Sequence, residues 1–124
     1  MTLVDFSSGN AGAALALVGT LRGYKVIVVR PGGLSKTKAV QIQSYGAQVI
    51  VSSEADGVPG ARRKAEEIAA ELGRSGFLMY QTDRDFNTKA FYRCGEEIVE
   101  VFREQRLRLD AFVCGIGTGG TFSG

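Results

Sequence analysis

Short apolar runs alternate along the chain with segments whose apolar residues recur at helical spacing. The runs are rich in Val, Ile, Phe and Tyr and lack strict polar alternation, which predicts β-strands that are covered on both faces. Five strands are expected, at residues 3–4, 25–29, 48–51, 77–80 and 111–114.

Four helices are predicted between these strands, at about residues 11–22, 36–45, 61–72 and 88–105. Ser35 is a good N-cap for the second helix, and Gly23, Gly46 and Gly73 are suited to end the first three. Strand–helix alternation favours an α/β fold in three layers, with a parallel sheet of four to five strands and helices on both faces.

Glycine changes this picture, because 17 glycines in 124 residues is roughly twice the average usage of about 7%. Most of them lie in short clusters between apolar runs, which indicates tight turns and backbone-lined sites. In a parallel sheet, ligands bind at the carboxyl ends of the strands, where such turns lead into helices.

The rest of the composition excludes several kinds of function. The chain has no histidine, which removes the usual catalytic triads and most zinc sites, so no metal is expected. A net charge of +2 argues against a nucleic-acid partner, and no apolar run is long enough to span a membrane. The two cysteines form no CxxC pair, which together with the lack of a secretory signal favours a cytoplasmic protein.

The first candidate site is Ser7-Ser8-Gly9-Asn10-Ala11-Gly12, between the first strand and the first helix. Hydroxyl groups and free N–H groups at a helix N-terminus suit a carboxylate or a phosphate. An equally good interpretation at this point is that Ser8 or Asn10 only caps the helix.

The second candidate site is the loop 115–121, Gly-Ile-Gly-Thr-Gly-Gly-Thr, directly after the last predicted strand. Successive glycines expose a row of N–H groups, to which Thr118 and Thr121 add hydroxyl donors, so the loop is suited to a phosphate. Its glycines also fit the GxGxxG pattern of dinucleotide-binding domains, which leaves a Rossmann-like nucleotide site as an alternative.

Together the two loops resemble the cysteine synthase and cystathionine beta-synthase family of pyridoxal-phosphate (PLP) enzymes. The first is similar to the family's Thr-Ser-Gly-Asn-Thr-Gly substrate loop, and residues 117–121 to its Gly-Thr-Gly-Gly-Thr phosphate cup. The resemblance covers essentially the whole chain. It implies β-replacement on an O-activated serine to make cysteine, with PLP as the cofactor and an amino acid as the substrate.

The resemblance also implies roles for individual residues. Asn10 is similar to the asparagine that binds the ring hydroxyl of the cofactor, and residues 117–121 to the phosphate cup. The members of that cup are Gly117, Thr118, Gly119, Gly120 and Thr121. The residues that resemble those gripping the α-carboxylate of the substrate are Ser7, Ser8, Gly9 and Gln81.

Three departures from the family pattern bear on substrate choice. Ala11 replaces a threonine, Thr82 replaces a common phenylalanine, and the turn at residues 83–87 is more charged than usual. The family's Schiff-base lysine would lie upstream of residue 1, and the chain's lysines match no such motif. We therefore expect no catalytic residue and no covalent PLP binding in this chain.

The resemblance divides the chain into a small α/β domain at residues 1–109 and the start of a large domain at residues 110–124. A fragment or truncated relative of the family, inactive alone, is the leading hypothesis. A phosphate- or partner-binding module without catalysis is the alternative. Because the predicted strand at residues 111–114 would lack its neighbours, we expect self-association or a missing domain.

Overall fold

The computed structural model describes residues 1–82 and 85–124, so Asp83 and Arg84 of the charged turn lie outside the described residues. The chain forms two compact units, Met1–Met79 and Tyr80–Gly124. The division at residues 109 and 110 that the family resemblance implies stays a prediction.

The first unit contains a parallel sheet of four strands, which confirms the predicted α/β class. The strands are β1 (Thr2–Phe6), β2 (Lys25–Arg30), β3 (Gln48–Val51) and β4 (Gly76–Leu78). Their order across the sheet is β3-β2-β1-β4. Because the chain builds outward from β1 to β3 and then crosses back to β4, the sheet has a topological switch point between β1 and β4.

Three helices connect these strands: α1 (Asn10–Leu21), α2 (Lys36–Ser44) and α3 (Gly57–Leu72). Ser35 caps α2 as predicted, since its Oγ accepts a hydrogen bond from the N–H of Thr37 at 3.3 Å. Gly23 and Gly46 follow α1 and α2 with φ angles of +79° and +88°, a conformation that favours glycine.

The helices cover both faces of the sheet. On one face α1 and α2 pack on a cluster of buried residues, namely Leu3, Ala13, Ala16, Val26, Val28, Ile42 and Ala47. Helix α3 contacts β1, β2 and β4 through a separate buried stripe of Ala61, Ala65 and Ile68, and so covers the other face. The middle strands are therefore enclosed on both sides, which explains their unbroken apolar runs.

The second unit is helical in its described part, with α4 (Asp85–Glu104) and α5 (Gly120–Ser123) in contact. The predicted fifth strand at residues 111–114 is wrong for this structure, in which the segment has no strand assignment. A strand needs a neighbour for its N–H and C=O groups, and no strand is found in the described part of this unit.

Candidate functional site

The loop after β1 is held in place by Ser7, whose side chain is buried. Its Oγ accepts hydrogen bonds from the N–H groups of Gly12, at 2.9 Å, and Gly9, at 3.3 Å. Gly9 is the N-cap of α1 and no side chain caps the helix there. The alternative that Ser8 or Asn10 caps α1 is therefore wrong, because the side chain that accepts from the first turn of the helix is Ser7, through the N–H of Gly12.

This arrangement leaves donors of the same loop available for a ligand. Ser8 and Asn10 are exposed, and the N–H groups of Asn10 and Ala11 have no acceptor in the part of the chain that the structure describes. Helix α1 also has no acidic residue in its first turn. Free N–H groups at the positive end of a helix dipole suit a carboxylate or phosphate, as the sequence indicated.

A buried arginine that the sequence analysis missed lies directly behind the loop. Arg30, the last residue of β2, donates from Nη2 to the carbonyl oxygen of Ser8 at 3.2 Å. It also donates to the carbonyl oxygen of Ser35, at the start of α2. The sequence offered one indication of this role: Arg30 is a charged residue at the end of the apolar run of β2, immediately before Pro31-Gly32-Gly33.

Gln81, the other residue expected at the substrate carboxylate, follows β4 in sequence but belongs to the second unit. It is partly buried, whereas Thr82 beside it is exposed. The carboxylate roles of Ser7, Ser8, Gly9 and Gln81 stay predictions.

The loop 117–121 ends in the short helix α5, which begins at Gly120. Gly117, Thr118 and Thr121 are exposed, and Gly119 has a φ angle of +83°. Within residues 1–82 and 85–124, no group accepts a hydrogen bond from the N–H of Gly117, Thr118 or Gly119. The loop thus offers the row of free donors that a phosphate requires.

Asn87, on the first turn of α4, fixes the shape of this loop and was also missed. Its Nδ2 donates to Oγ1 of Thr118 at 2.8 Å, and a Cβ at Gly120 would come within 2.6 Å of its Oδ1. Because the Thr118 oxygen accepts from Asn87, its own O–H remains free to donate to an anion. In the sequence, Asn87 is the last residue of the charged turn at residues 83–87, and nothing there distinguished its neutral side chain as part of a site.

Two of the lysines, Lys64 and Lys89, form ion pairs with acids on the same helix. The pKa of Lys64 is raised by its hydrogen bond and charge interaction with Glu67, and the pKa of Lys89 is raised in the same way by Asp85. Both side chains are therefore held as ammonium ions, whereas a lysine that attacks a carbonyl must be neutral.

Residues 1–82 and 85–124 contain neither a membrane-spanning helix nor a metal-binding cluster. No described helix is long and apolar enough to cross a membrane. No cluster of three or more His, Cys, Asp or Glu side chains there could hold a metal ion. Cys94 and Cys114 are both free thiols. The expectations of no metal and no nucleic-acid partner stay predictions.

Comparison with known proteins extends these observations. All of residues 1–124 match a family described as pyridoxal-phosphate dependent enzyme. Cysteine synthase 3 of Caenorhabditis elegans is 38% identical over 98% of this chain, and cysteine synthase A of Escherichia coli (strain K12) is 34% identical over 98%. The chain spans 35% and 37% of the lengths of these two relatives.

Solved structures of several enzymes are also similar to this chain, in fold as well as in sequence. A hydrogen sulfide-producing enzyme from Fusobacterium nucleatum superposes with a TM-score of 0.91 at 34% identity, over 98% of this chain and 37% of that one. An O-ureido-L-serine synthase superposes with a TM-score of 0.90 at 34% identity, over 97% of this chain and 37% of that one. The whole chain therefore has the fold of about one third of these enzymes.

Proposed function

Because the chain belongs to the family of pyridoxal-phosphate dependent enzymes, we propose that it forms the cofactor- and substrate-gripping part of a cysteine synthase-like enzyme. The parent reaction would be β-replacement on an O-activated L-serine by a thiol or sulfide. The similarity to several cysteine synthases supports this proposal.

In this proposal each loop has its own task. Residues 117–121 bind the phosphate of PLP through their free N–H groups and the Thr118 hydroxyl, and Asn10 contacts the ring hydroxyl. Ser8 and the first turn of α1 bind the α-carboxylate of the amino acid, with Ser7 shaping the loop, Gly9 letting the backbone approach the ligand and Gln81 as a further donor. When bound, PLP supplies the electron sink for the chemistry at the α-carbon.

The observation that carries the proposal is the loop at residues 117–121. It presents unpaired N–H groups, a threonine hydroxyl oriented by Asn87, and a glycine that packs against the same asparagine. A loop that only connected two elements would need none of these features. A phosphate group, with its several acceptor oxygens, uses all of them.

We also propose that this chain alone binds PLP without a covalent bond and does not turn over substrate. The raised pKa values of Lys64 and Lys89 disfavour an imine at these two positions. A cytoplasmic location and self-association are part of the same proposal. The two free thiols are typical of a reducing compartment, and an unpaired segment at residues 111–114 favours assembly.

Two alanine variants test the site. A Cβ added at Gly117 or at Gly115 meets no atom within 4 Å, and neither residue has a positive φ, so both substitutions leave the fold intact. We expect Gly117→Ala, whose methyl group enters the phosphate cup, to weaken binding of PLP and of inorganic phosphate about tenfold. Gly115→Ala, outside the cup, is the matched control and should bind like the parent chain.

Binding is measured by NMR titration of the amides of residues 117–121, with NAD as a parallel ligand. Equal losses in both variants, or no phosphate-induced shift in the parent chain, would refute the assignment of the cup. Tighter binding of NAD than of PLP would favour the nucleotide-binding alternative. Borohydride reduction with PLP should label no single lysine stoichiometrically, and one unique labelled lysine would overturn the non-covalent proposal.

A further inference from the structure

Arg30 is a buried cation without a carboxylate partner among residues 1–82 and 85–124. Only 3% of its surface is exposed, and no ion pair among the described residues includes it. Its Nε is buried and has no hydrogen-bond partner in residues 1–82 and 85–124. Buried arginines are usually paired with an acid, so this position needs an explanation.

The hydrogen bonds of Arg30 join two loops at the carboxyl end of the sheet. Nη2 donates to the carbonyl oxygens of Ser8, at 3.2 Å, and Ser35, at 3.3 Å, while Nη1 donates to Ser35 at 3.2 Å. Ser8 belongs to the loop after β1 and Ser35 is the N-cap of α2. One planar guanidinium therefore links the start of α1 to the start of α2.

The peptide unit between Ser8 and Gly9 is held at both of its polar ends as a result. Its carbonyl oxygen accepts from Arg30, and its N–H donates to Oγ of Ser7 at 3.3 Å. Rotation of this peptide plane would break both bonds. The next peptide unit carries the N–H of Asn10, and its carbonyl oxygen, that of Gly9, accepts from the N–H of Ala13 at 3.2 Å within α1. The Ser8–Gly9 peptide is therefore the last fixed unit of the loop before the free N–H groups of the helix.

Stability alone does not account for the residue. Burying an unpaired cation costs free energy, and this one lies beside the N-termini of α1 and α2, whose dipoles are positive at that end. An apolar side chain of similar length would fill the space without that cost. The gain is a rigid loop next to a positive charge, which is what an anionic group binding to that loop would use.

We propose that Arg30 is a positioning residue for the substrate carboxylate: it fixes Ser8 and the Ser8–Gly9 peptide beside the free N–H groups of Asn10 and Ala11, so that the loop and the helix bind the anion together. This inference rests on the proposed function, in which that loop takes the α-carboxylate of an amino acid. The inference adds Arg30, a residue at the end of β2 and outside the loop, to the proposed carboxylate site.

The test compares Arg30→Met and Arg30→Lys with Val29→Ala in the full 124-residue chain. Val29 is the neighbouring, fully buried residue of β2, and its carbonyl oxygen accepts from the N–H of Ser7 at 2.9 Å. Truncation of its side chain lowers stability but leaves this backbone group and the bonds of Arg30 in place. The first measurement is amide hydrogen exchange at Gly9 and Gly12, which needs no ligand. The second is an NMR titration with L-serine, followed at the amides of Asn10 and Ala11.

In Arg30→Met we expect exchange at Gly9 and Gly12 to accelerate about tenfold relative to the α3 amides, with a similar loss of L-serine affinity. Arg30→Lys should restore neither in full, because one ammonium cannot bridge both carbonyl oxygens in a plane. Val29→Ala should change exchange at all amides by similar factors and leave the L-serine affinity as it was.

Unchanged exchange and affinity in Arg30→Met would overturn the proposal, as would a uniform acceleration like that of Val29→Ala. If the parent chain does not bind L-serine, the carboxylate-binding part of the proposed function fails. The exchange data then still decide whether Arg30 positions the loop, so the two failures are distinguishable.

Discussion

At the scale of single residues, the Thr118 hydroxyl accepts one hydrogen bond and keeps its own proton for another. Its Oγ1 accepts from the amide of Asn87 at 2.8 Å, so its own proton is free for a ligand oxygen. An asparagine can donate in this way and an aspartate cannot. The choice of amide over carboxylate at position 87 therefore has a chemical consequence for any anion bound by residues 117–121.

Asn87→Asp keeps the shape of the side chain and reverses this hydrogen bond. The Thr118 hydroxyl must then donate to the carboxylate, and the new negative charge repels a phosphate. We expect affinity for inorganic phosphate to fall by about tenfold or more at neutral pH, by loss of one donor and addition of a repulsive charge. NMR titration of the amides at residues 117–121 measures this.

Ala90→Asp is the control for charge alone, because it adds the same charge at an exposed position one turn further along α4. It should weaken phosphate binding far less. If the two variants lose affinity equally, the effect is general electrostatics and Asn87 does not orient Thr118.

At the scale of elements, helix α1 lies close to β2 because its buried face carries small residues, Gly12, Ala13, Ala16 and Gly19. A Cβ at Gly12 would come within 2.8 Å of Cγ1 of Val28 and 3.0 Å of Cβ of Ser7. Both neighbours are buried and cannot move away freely. The contact between helix and strand therefore depends on the missing side chain.

We expect Gly12→Ala to lower the free energy of unfolding by about 1–3 kcal/mol through overpacking, although alanine is the better helix former. Urea denaturation measures this change. Val28→Ala removes the clashing methyl groups, so in the double variant the cost of the Gly12 substitution should shrink. Strictly additive costs would show that the clash is relieved elsewhere, and a stabilised single variant would show that the helix shifts freely.

The first turn of α4 gives a prediction about pH. Lys89 lowers the pKa of Asp85 by its hydrogen bond and charge, and the pair is exposed. A carboxyl whose folded pKa is lowered stabilises the helix end above its unfolded pKa of about 3.9 and loses this effect as the pH falls through the folded value. We expect the amides of residues 86–89 to exchange relatively faster below that range.

Asp85→Asn is the control variant, because it has no carboxyl to titrate at that position. It should lack this local transition and already show the faster exchange at neutral pH. The same transition in both chains would assign it to another acid.

The sequence predicted the strands and helices of the first unit because their burial is satisfied within that unit. The helix ends at Ser35, Gly23 and Gly46 could also be predicted, because capping depends on residue type and local backbone conformation. Residues 111–114 were wrongly expected to form a strand, because an apolar run gives no information on whether a pairing strand is present. Arg30 and Asn87 were missed because their roles depend on contacts between segments distant in sequence.

At the scale of the whole molecule, apolar side chains near the carboxyl end lack cover in the described structure. Val113 is 91% exposed and Ile116 is 67% exposed, and Phe112 and Phe122 are also exposed. Together with Leu109 and the apolar face of α4, Phe112 and Phe122 line an open cavity of about 230 Å³. Apolar surface of this kind in one region marks a site of association.

We therefore expect the chain to self-associate in a concentration-dependent way, with residues 111–116 in the contact. Val113→Asp places a charge in that contact and should shift the mass from light scattering toward the monomer. Because Val113 is almost fully exposed, the substitution should not unfold the unit. Val40→Asp, at a residue that is 62% exposed on α2 of the first unit, is the matched control and should associate like the parent chain. A monomeric mass of the parent chain at all concentrations, or equal dissociation by both variants, would contradict the assignment of this surface.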